Sequence, residues 1–176
     1  MENILKSNGY LEPGFQDMSI TEIEELLVKC FPTSTTRPEI FSGYLNLLNV
    51  ILGLRLHLQQ WINGSFCTNK TDPGDMDLLT LFNKDILDNM PADCQQIVLP
   101  LFQGPGSKPH FCCDSYLLIV LPENHPDYEK YLVIRRYWMG WFGFDRQEIP
   151  KGIIRINTSD LLPEETDPGG DNNEHS

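Results

Sequence analysis

Two aspartates with one residue between them are the part of the sequence best suited to chemistry. Asp75 and Asp77 flank Met76 in an apolar run, and alternate residues of a β-strand point to the same side. Their carboxylates should therefore project together. Burying two like charges costs roughly several kcal/mol unless a cation compensates them. The pair is predicted to bind a divalent metal ion.

A Gly-Ser turn precedes this pair. Gly64 and Ser65 follow a predicted strand over residues 56–62, and nine residues separate Ser65 from Asp75. Glycine lets a backbone approach phosphates closely, while backbone amides and the Ser65 hydroxyl can bind phosphate oxygens. A metal ion beside such a turn is typical of phosphoryl and nucleotidyl transfer sites.

The order Gly64-Ser65, nine residues, Asp75-x-Asp77 resembles the signature of the DNA polymerase β-like nucleotidyltransferase superfamily in its minimal form. That superfamily has a third carboxylate on a later strand, and Asp114 stands in a matching place at the head of the apolar run 111–121. A narrower resemblance, from Gly9 to Ile156, is to an uncharacterised family of small bacterial and phage proteins that look like stand-alone nucleotidyltransferases. It is carried by residues 64–77, 138–146 and 150–154.

The resemblance implies that Asp75, Asp77 and Asp114 hold two Mg²⁺ (or Mn²⁺) ions. The reaction it implies moves a nucleoside monophosphate from a nucleoside triphosphate to a hydroxyl on a protein, an RNA end or a small molecule. The chain has no room for a separate substrate-binding domain, which favours an acceptor presented by a partner protein. A setting in defence or in a toxin–antitoxin pair follows by analogy alone.

Three basic side chains are predicted to bind the nucleotide together with Gly64 and Ser65. Lys70 lies in the loop before Asp75, and Arg146 and Lys151 follow a predicted helix that begins near Pro126. A solvated loop lysine is nearly as good an interpretation of Lys70. The aromatic stripe of this helix could stack a base, but at helical spacing it is more often core; it consists of Tyr131, Trp138, Trp141 and Phe142.

Alternatives remain open for each acidic residue. Asp75 and Asp77 could be a solvated strand end, and Asp114 could cap a loop. His110, Cys112 and Cys113 suggest zinc, but a closed tetrahedral site needs a second pair of ligands, so buried cysteines are favoured. The rival functions are a catalytically inactive nucleotidyltransferase-fold module that binds or regulates, and a purely structural interaction protein.

Size and charge set the frame for these hypotheses. The chain has 176 residues, predicted as one domain over 1–158 and a disordered acidic tail over 159–176. The formal net charge of −12 argues against long duplex DNA as a partner. No signal peptide or membrane span is predicted. Five cysteines without a Cys-x-x-Cys pair suit a reducing compartment, so the protein is predicted to be cytoplasmic.

Helical and strand patterns alternate along the chain and predict an α+β fold, a small mixed sheet packed by helices. The resemblance implies the polymerase β-like nucleotidyltransferase fold. Helices are predicted over 21–29, from Pro38 to about Leu52, over 83–90 and 93–102, and from Pro126 to Phe142; strands are predicted over 56–62, 75–82, 111–121 and 151–157, with a Gly/Pro loop over 103–109.

Overall fold

A five-stranded mixed β-sheet forms the centre of the protein. The structure, a computed structural model, describes residues 4–162. The strand order is β1-β5-β2-β3-β4, in which β1–β5 and β3–β4 are parallel pairs and β2 is antiparallel to both its neighbours. This architecture is compatible with the predicted α+β class. The strands are β1 (Gly14–Asp17), β2 (Gln59–Asn63), β3 (Met76–Asn83), β4 (Cys113–Val120) and β5 (Gly152–Asn157).

Helices cover both faces of the sheet. Strand alternation sends Ile62, Leu78 and Phe82 into a core shared with α1 and α2, and it sends Trp61 and Leu79 into a second core under α6. The α6 core also takes up the helix residues Tyr131 and Phe142. The helices are α1 (Ile20–Glu24, continued as a π-helical segment over Glu25–Lys29), α2 (Arg37–Gly53), α3 (Lys84–Asp88), α4 (Ala92–Val98), α5 (Lys108–Phe111) and α6 (Tyr128–Gly143).

Local signals fixed the start of two helices. A capping box opens α1, because the Ser19 hydroxyl accepts a bond from the Glu22 amide and the Glu22 carboxylate accepts one from the Ser19 amide. The helix therefore begins at Ile20, one residue before its predicted start at Thr21. Pro38 stands in the first turn of α2, as predicted.

Two short elements differ from the expectations. Strand β1 was not predicted, because it has four residues and follows the turn residues Pro13-Gly14. The loop predicted over 103–109 ends instead in α5, whose Pro109 occupies a first-turn position. Cys112, with φ of 53°, ends α5 in the left-handed region, so β4 begins at Cys113 and not at Phe111.

The described part of the chain reaches Leu162. A 3₁₀ turn covers Thr158–Leu161, and Leu161 packs against the larger core. The rest of the predicted acidic tail, residues 163–176, lies outside the described residues. Among residues 4–162, no helix is long and apolar enough to cross a membrane.

Candidate active site

Strand alternation brings the predicted carboxylates to the α6 side of the sheet. Asp77 stands two residues before Leu79, which faces α6, and the β3–β4 register places Asp77 directly beside Asp114. Asp75 precedes the first residue of β3 by one position. All three therefore meet at the same end of two neighbouring parallel strands.

These aspartates line a cavity of about 900 Å³. The cavity lies between the sheet end, the turn after β2, the N-terminal segment and the C-terminal end of α6. Its lining consists of Asn8, Tyr10, Gly64, Ser65, Thr68, Asn69, Asp75, Asp77, Asp114, Tyr116, Gly140, Trp141, Phe144, Asp145, Arg146, Gln147 and Lys151.

Of the residues predicted to form the site, Lys70 is the one that does not line the cavity. Its side chain is exposed, and its backbone carbonyl accepts a hydrogen bond of 2.7 Å from the Arg37 guanidinium. Gly64, Ser65, Arg146 and Lys151 are brought to the cavity with the three carboxylates. The roles of these residues remain predictions.

Asp77 and Asp114 lie in an environment that disfavours their charge. Burial raises the pKa of Asp77 to about 6, and the nearby Asp75 and Asp114 add to this shift while Lys151 and Lys108 oppose it. The pKa of Asp114 is also raised, by burial first and then by Asp75. Such a group of shifted acids in a concave site is typical of functional sites.

A lysine that was not predicted neutralises part of this charge. The Lys108 ammonium, on α5, lies 2.5 Å from Asp75 Oδ2. Its own pKa is raised, chiefly by that hydrogen bond. Within residues 4–162, no group of three or more His, Cys, Asp or Glu side chains has a geometry that could hold a metal ion in this conformation.

Two further observations bear on whether a cation would fit here. Asp114 Oδ1 is buried and has no hydrogen-bond partner among the described residues, as is also true of Ser115 Oγ. Gly64 has φ of +83°, and a Cβ built there would overlap Asp77 Oδ2. The Gly64 backbone thus lies against the carboxylate of Asp77, and the neighbouring Asp114 carboxylate has an unpaired oxygen. A cation between Asp77 and Asp114 would satisfy an oxygen of each.

The basic side of the cavity is formed where α6 returns to the sheet. Lys151 is half-buried, and its pKa is lowered by burial, against the opposing effects of Cys67, Asp77 and Asp145. Its backbone amide donates a bond of 2.8 Å to the Gly143 carbonyl. This contact fixes the start of β5 against the end of α6.

A buried arginine holds the loop that follows Ser65. Arg37 is fully buried, and its guanidinium donates five hydrogen bonds to backbone carbonyls while lying 3.7 Å from the centre of the Phe31 ring. Burial lowers its pKa to about 10. The acceptors are the carbonyls of Leu27, Phe66, Thr68, Lys70 and Thr71.

The N-terminal wall of the cavity was not predicted. The Tyr10 hydroxyl donates a bond of 2.7 Å to Asp145 Oδ2, and this joins two segments separated by 135 residues. Asn8, Thr68 and Asn69 stand on the same wall. No local motif marks these residues, because only the closure of the sheet by β5 brings them to the site.

The aromatic stripe of α6 is divided between two roles. Tyr131 and Phe142 are buried in the core, as favoured from their spacing. Trp141 lines the cavity and has 60% of its surface exposed, and Phe144, just beyond the helix, is 48% exposed.

The chain belongs to a family of unknown function, DUF6932, whose model matches residues 4–157. No curated protein and no solved structure matches it. The match spans the described sheet, from the segment before β1 to the last residue of β5.

Proposed function

We propose that this protein is a metal-dependent nucleotidyltransferase with a polymerase β-like fold, which transfers a nucleoside monophosphate from a nucleoside triphosphate to a hydroxyl. The observation that carries the proposal is the side-by-side placement of Asp77 and Asp114 in one cavity with Asp75, next to the Gly64-Ser65 turn. Three carboxylates of this kind beside a phosphate-sized turn are suited to nucleotide chemistry.

Asp75, Asp77 and Asp114 would hold Mg²⁺ or Mn²⁺, which when bound would neutralise phosphate charge and lower the pKa of the acceptor hydroxyl. Mg²⁺ is usually held by one or two carboxylates together with substrate phosphates and water. The lack of a three-ligand group among residues 4–162 is therefore compatible with a site completed by the substrate. The ion pair between Asp75 and Lys108 must break for the metal site to form.

The remaining steps belong to the chain's own groups. The Gly64-Ser65 turn binds phosphate oxygens, and Lys151 and Arg146, which line the same cavity, compensate their charge. In the reaction, the acceptor oxygen forms a bond to the α-phosphorus, the bond from that phosphorus to the bridging oxygen breaks, and pyrophosphate leaves. The hydroxyl proton passes to solvent.

Labelling with an α-³²P nucleoside triphosphate tests the proposal. Replacing Asp75 and Asp77 together by Asn should abolish transfer of label, while Asp93→Asn, an exposed aspartate at the start of α4, should leave it unchanged. The melting temperature of the double variant should be similar or raised, because like charges are removed. A double variant that still transfers label would refute the assigned role.

One observation favours a second function, a nucleotidyltransferase-fold module that binds without turnover. Lys108 already supplies Asp75 with a cation from the chain itself. Calorimetry with Mg²⁺ and each nucleoside triphosphate, followed by a pyrophosphate assay, separates the two functions. Binding with pyrophosphate release supports the enzyme, and binding without release supports the module.

The proposal includes a cytoplasmic setting. It is supported by the five cysteines, all of which carry free thiols. Such a composition suits a reducing compartment.

A further inference from the structure

The outer face of α6 and the segment after it carry an exposed surface of which the proposed chemistry uses only Arg146. Tyr137 is 58% exposed and lies one turn before Trp141, and their ring centres are 6.0 Å apart with an angle of 35° between the planes. Trp141 and Phe144, which lies just beyond the helix and is 48% exposed, both line the cavity. Tyr137, Trp141 and Phe144 thus form an aromatic row that leads along the helix into the cavity; the adjacent Val133 and Ile134 are also exposed.

The charge of this surface is opposite to that of the whole molecule. Residues 130–143 contain no Asp or Glu, although the chain has a formal net charge of −12. Arg136 and Arg146 are exposed, and within the described residues neither makes an ion pair. Two unpaired guanidinium groups therefore flank the aromatic row, one on the helix and one at the cavity mouth.

We propose that this aromatic row, together with Arg136 and Arg146, binds the end of a single-stranded nucleic acid and directs its terminal hydroxyl into the cavity. Base stacking on exposed aromatic rings combined with cations along the backbone is how proteins bind single strands without reading sequence. The inference rests on the proposed function and names its acceptor: the terminal ribose oxygen forms the bond to the α-phosphorus, pyrophosphate leaves, and the hydroxyl proton passes to solvent.

Aromatic residues and arginine are also enriched at protein–protein interfaces. Two features favour nucleic acid over a protein partner. The row is continuous with the cavity in which the acceptor hydroxyl must arrive, and acids are absent from the 14 residues 130–143, which complements a chain of phosphates.

Fluorescence anisotropy with a labelled single-stranded oligonucleotide about 12 nucleotides long tests this without nucleoside triphosphate or metal. RNA and DNA versions are compared, with the duplex of the same sequence as competitor. The wild-type protein should bind a single strand, and the duplex should compete poorly. Because no chemistry is involved, this result is independent of whether the protein transfers nucleotides.

Two variants separate stacking from phosphate contact. Trp141→Ala should weaken binding about tenfold and leave the salt dependence unchanged, because a stacked base is lost and no phosphate contact changes. Arg136→Gln should reduce the slope of log affinity against log salt by about 0.7. Ile97→Ala, on α4, removes a side chain of comparable exposure far from the row and should change neither quantity. Thermal melts confirm that each variant is folded.

Several outcomes would overturn the inference. The wild type could fail to bind any single strand, or it could bind the duplex more tightly than the single strand. The third such outcome is that Trp141→Ala binds the single strand as tightly as the wild type does. A self-association that Tyr137→Glu abolishes in light scattering, without oligonucleotide binding by the wild type, would assign the surface to a second copy. Nucleotide transfer with no strand binding would reject this inference alone, and strand binding with no transfer would reject the proposed function alone.

Discussion

Single residues carry the charge conflict that defines the site. Asp77 has its pKa raised to about 6, so between about pH 4 and pH 6 the folded protein binds a proton that the unfolded chain has released. Stability therefore falls as pH rises through this interval, and the loss is complete above the folded pKa. A cation bound at neutral pH would relieve the same conflict.

Replacing Asp77 by Asn should stabilise the protein by about 1–3 kcal/mol at pH 7, because a buried charge is removed. Urea unfolding at several pH values measures this. The wild type should lose stability from about pH 4 to pH 7 relative to the variant, and the difference should vanish below pH 4. Asp93→Asn, at an exposed position, is the matched control. If the variant kept the pH dependence of the wild type, the pKa of Asp77 would not be the cause of that dependence.

Gly64 is the second residue of the site for which the geometry gives a prediction. Gly64→Ala should destabilise the protein by about 1–3 kcal/mol, because an L-residue at φ of +83° is strained and the new methyl group meets Asp77 Oδ2. Nucleotide binding should be lost with it. Gly74→Ala is the control, since a Cβ there meets nothing within 4 Å. Equal effects of the two substitutions on calorimetric nucleotide binding would contradict the proposed contact.

The acidic part of the site was partly predictable from local rules. Two carboxylates with i, i+2 spacing must share a strand face, which brings Asp75 and Asp77 together. Asp114 was added by the family resemblance and not by a local rule. Lys108 was not predictable. It lies 33 residues from Asp75 in sequence, on a helix of four residues that Pro109 made look like a loop.

Among elements, the α2 helix shapes the loop that follows the Gly64-Ser65 turn. It presents Arg37 from its first turn to the loop over 66–71, and that guanidinium donates hydrogen bonds to the backbone carbonyls of this loop. The loop conformation is thus set by a side chain that does not touch the cavity. Arg37 is a positioning residue, and no sequence pattern marks it.

Arg37→Met should cost about 3–5 kcal/mol of the free energy of unfolding, because buried carbonyls lose their donors. The substitution should increase the rate of amide hydrogen exchange more over residues 65–71 than in β3. Arg37→Lys should restore only part of the stability, since an ammonium cannot reach five acceptors. Arg136→Met, at an exposed position, should change stability by less than about 0.5 kcal/mol. Uniform exchange changes across the chain would argue against a local role for Arg37.

At the scale of the whole molecule, a cation that bound only the folded protein would be linked to its folding. A ligand that binds only the folded state at 100 times its dissociation constant adds about 2.7 kcal/mol to the free energy of unfolding. For a protein of this size each kcal/mol raises the melting temperature by about 2–4 °C. A change in melting temperature therefore reports cation binding without depending on any reaction.

Mn²⁺ should raise the melting temperature by several degrees at pH 7 and by less at pH 5, because Asp77 is protonated below about pH 6. Differential scanning calorimetry with and without the ion measures the shift. Asp77→Asn with Asp114→Asn should remove it, while Asp93→Asn should retain it. An equal shift in the double variant would place the cation elsewhere.

The order of the strands has a consequence for protein synthesis. Of the described strands, β5 is the last to leave the ribosome, yet it lies between β1 and β2 in the sheet. A nascent chain that ends before Lys151 has β1 without its partner and lacks a residue that lines the cavity beside the acidic cluster. The cavity is therefore complete only after β5 has been synthesised, and a product that terminates before Lys151 would lack it.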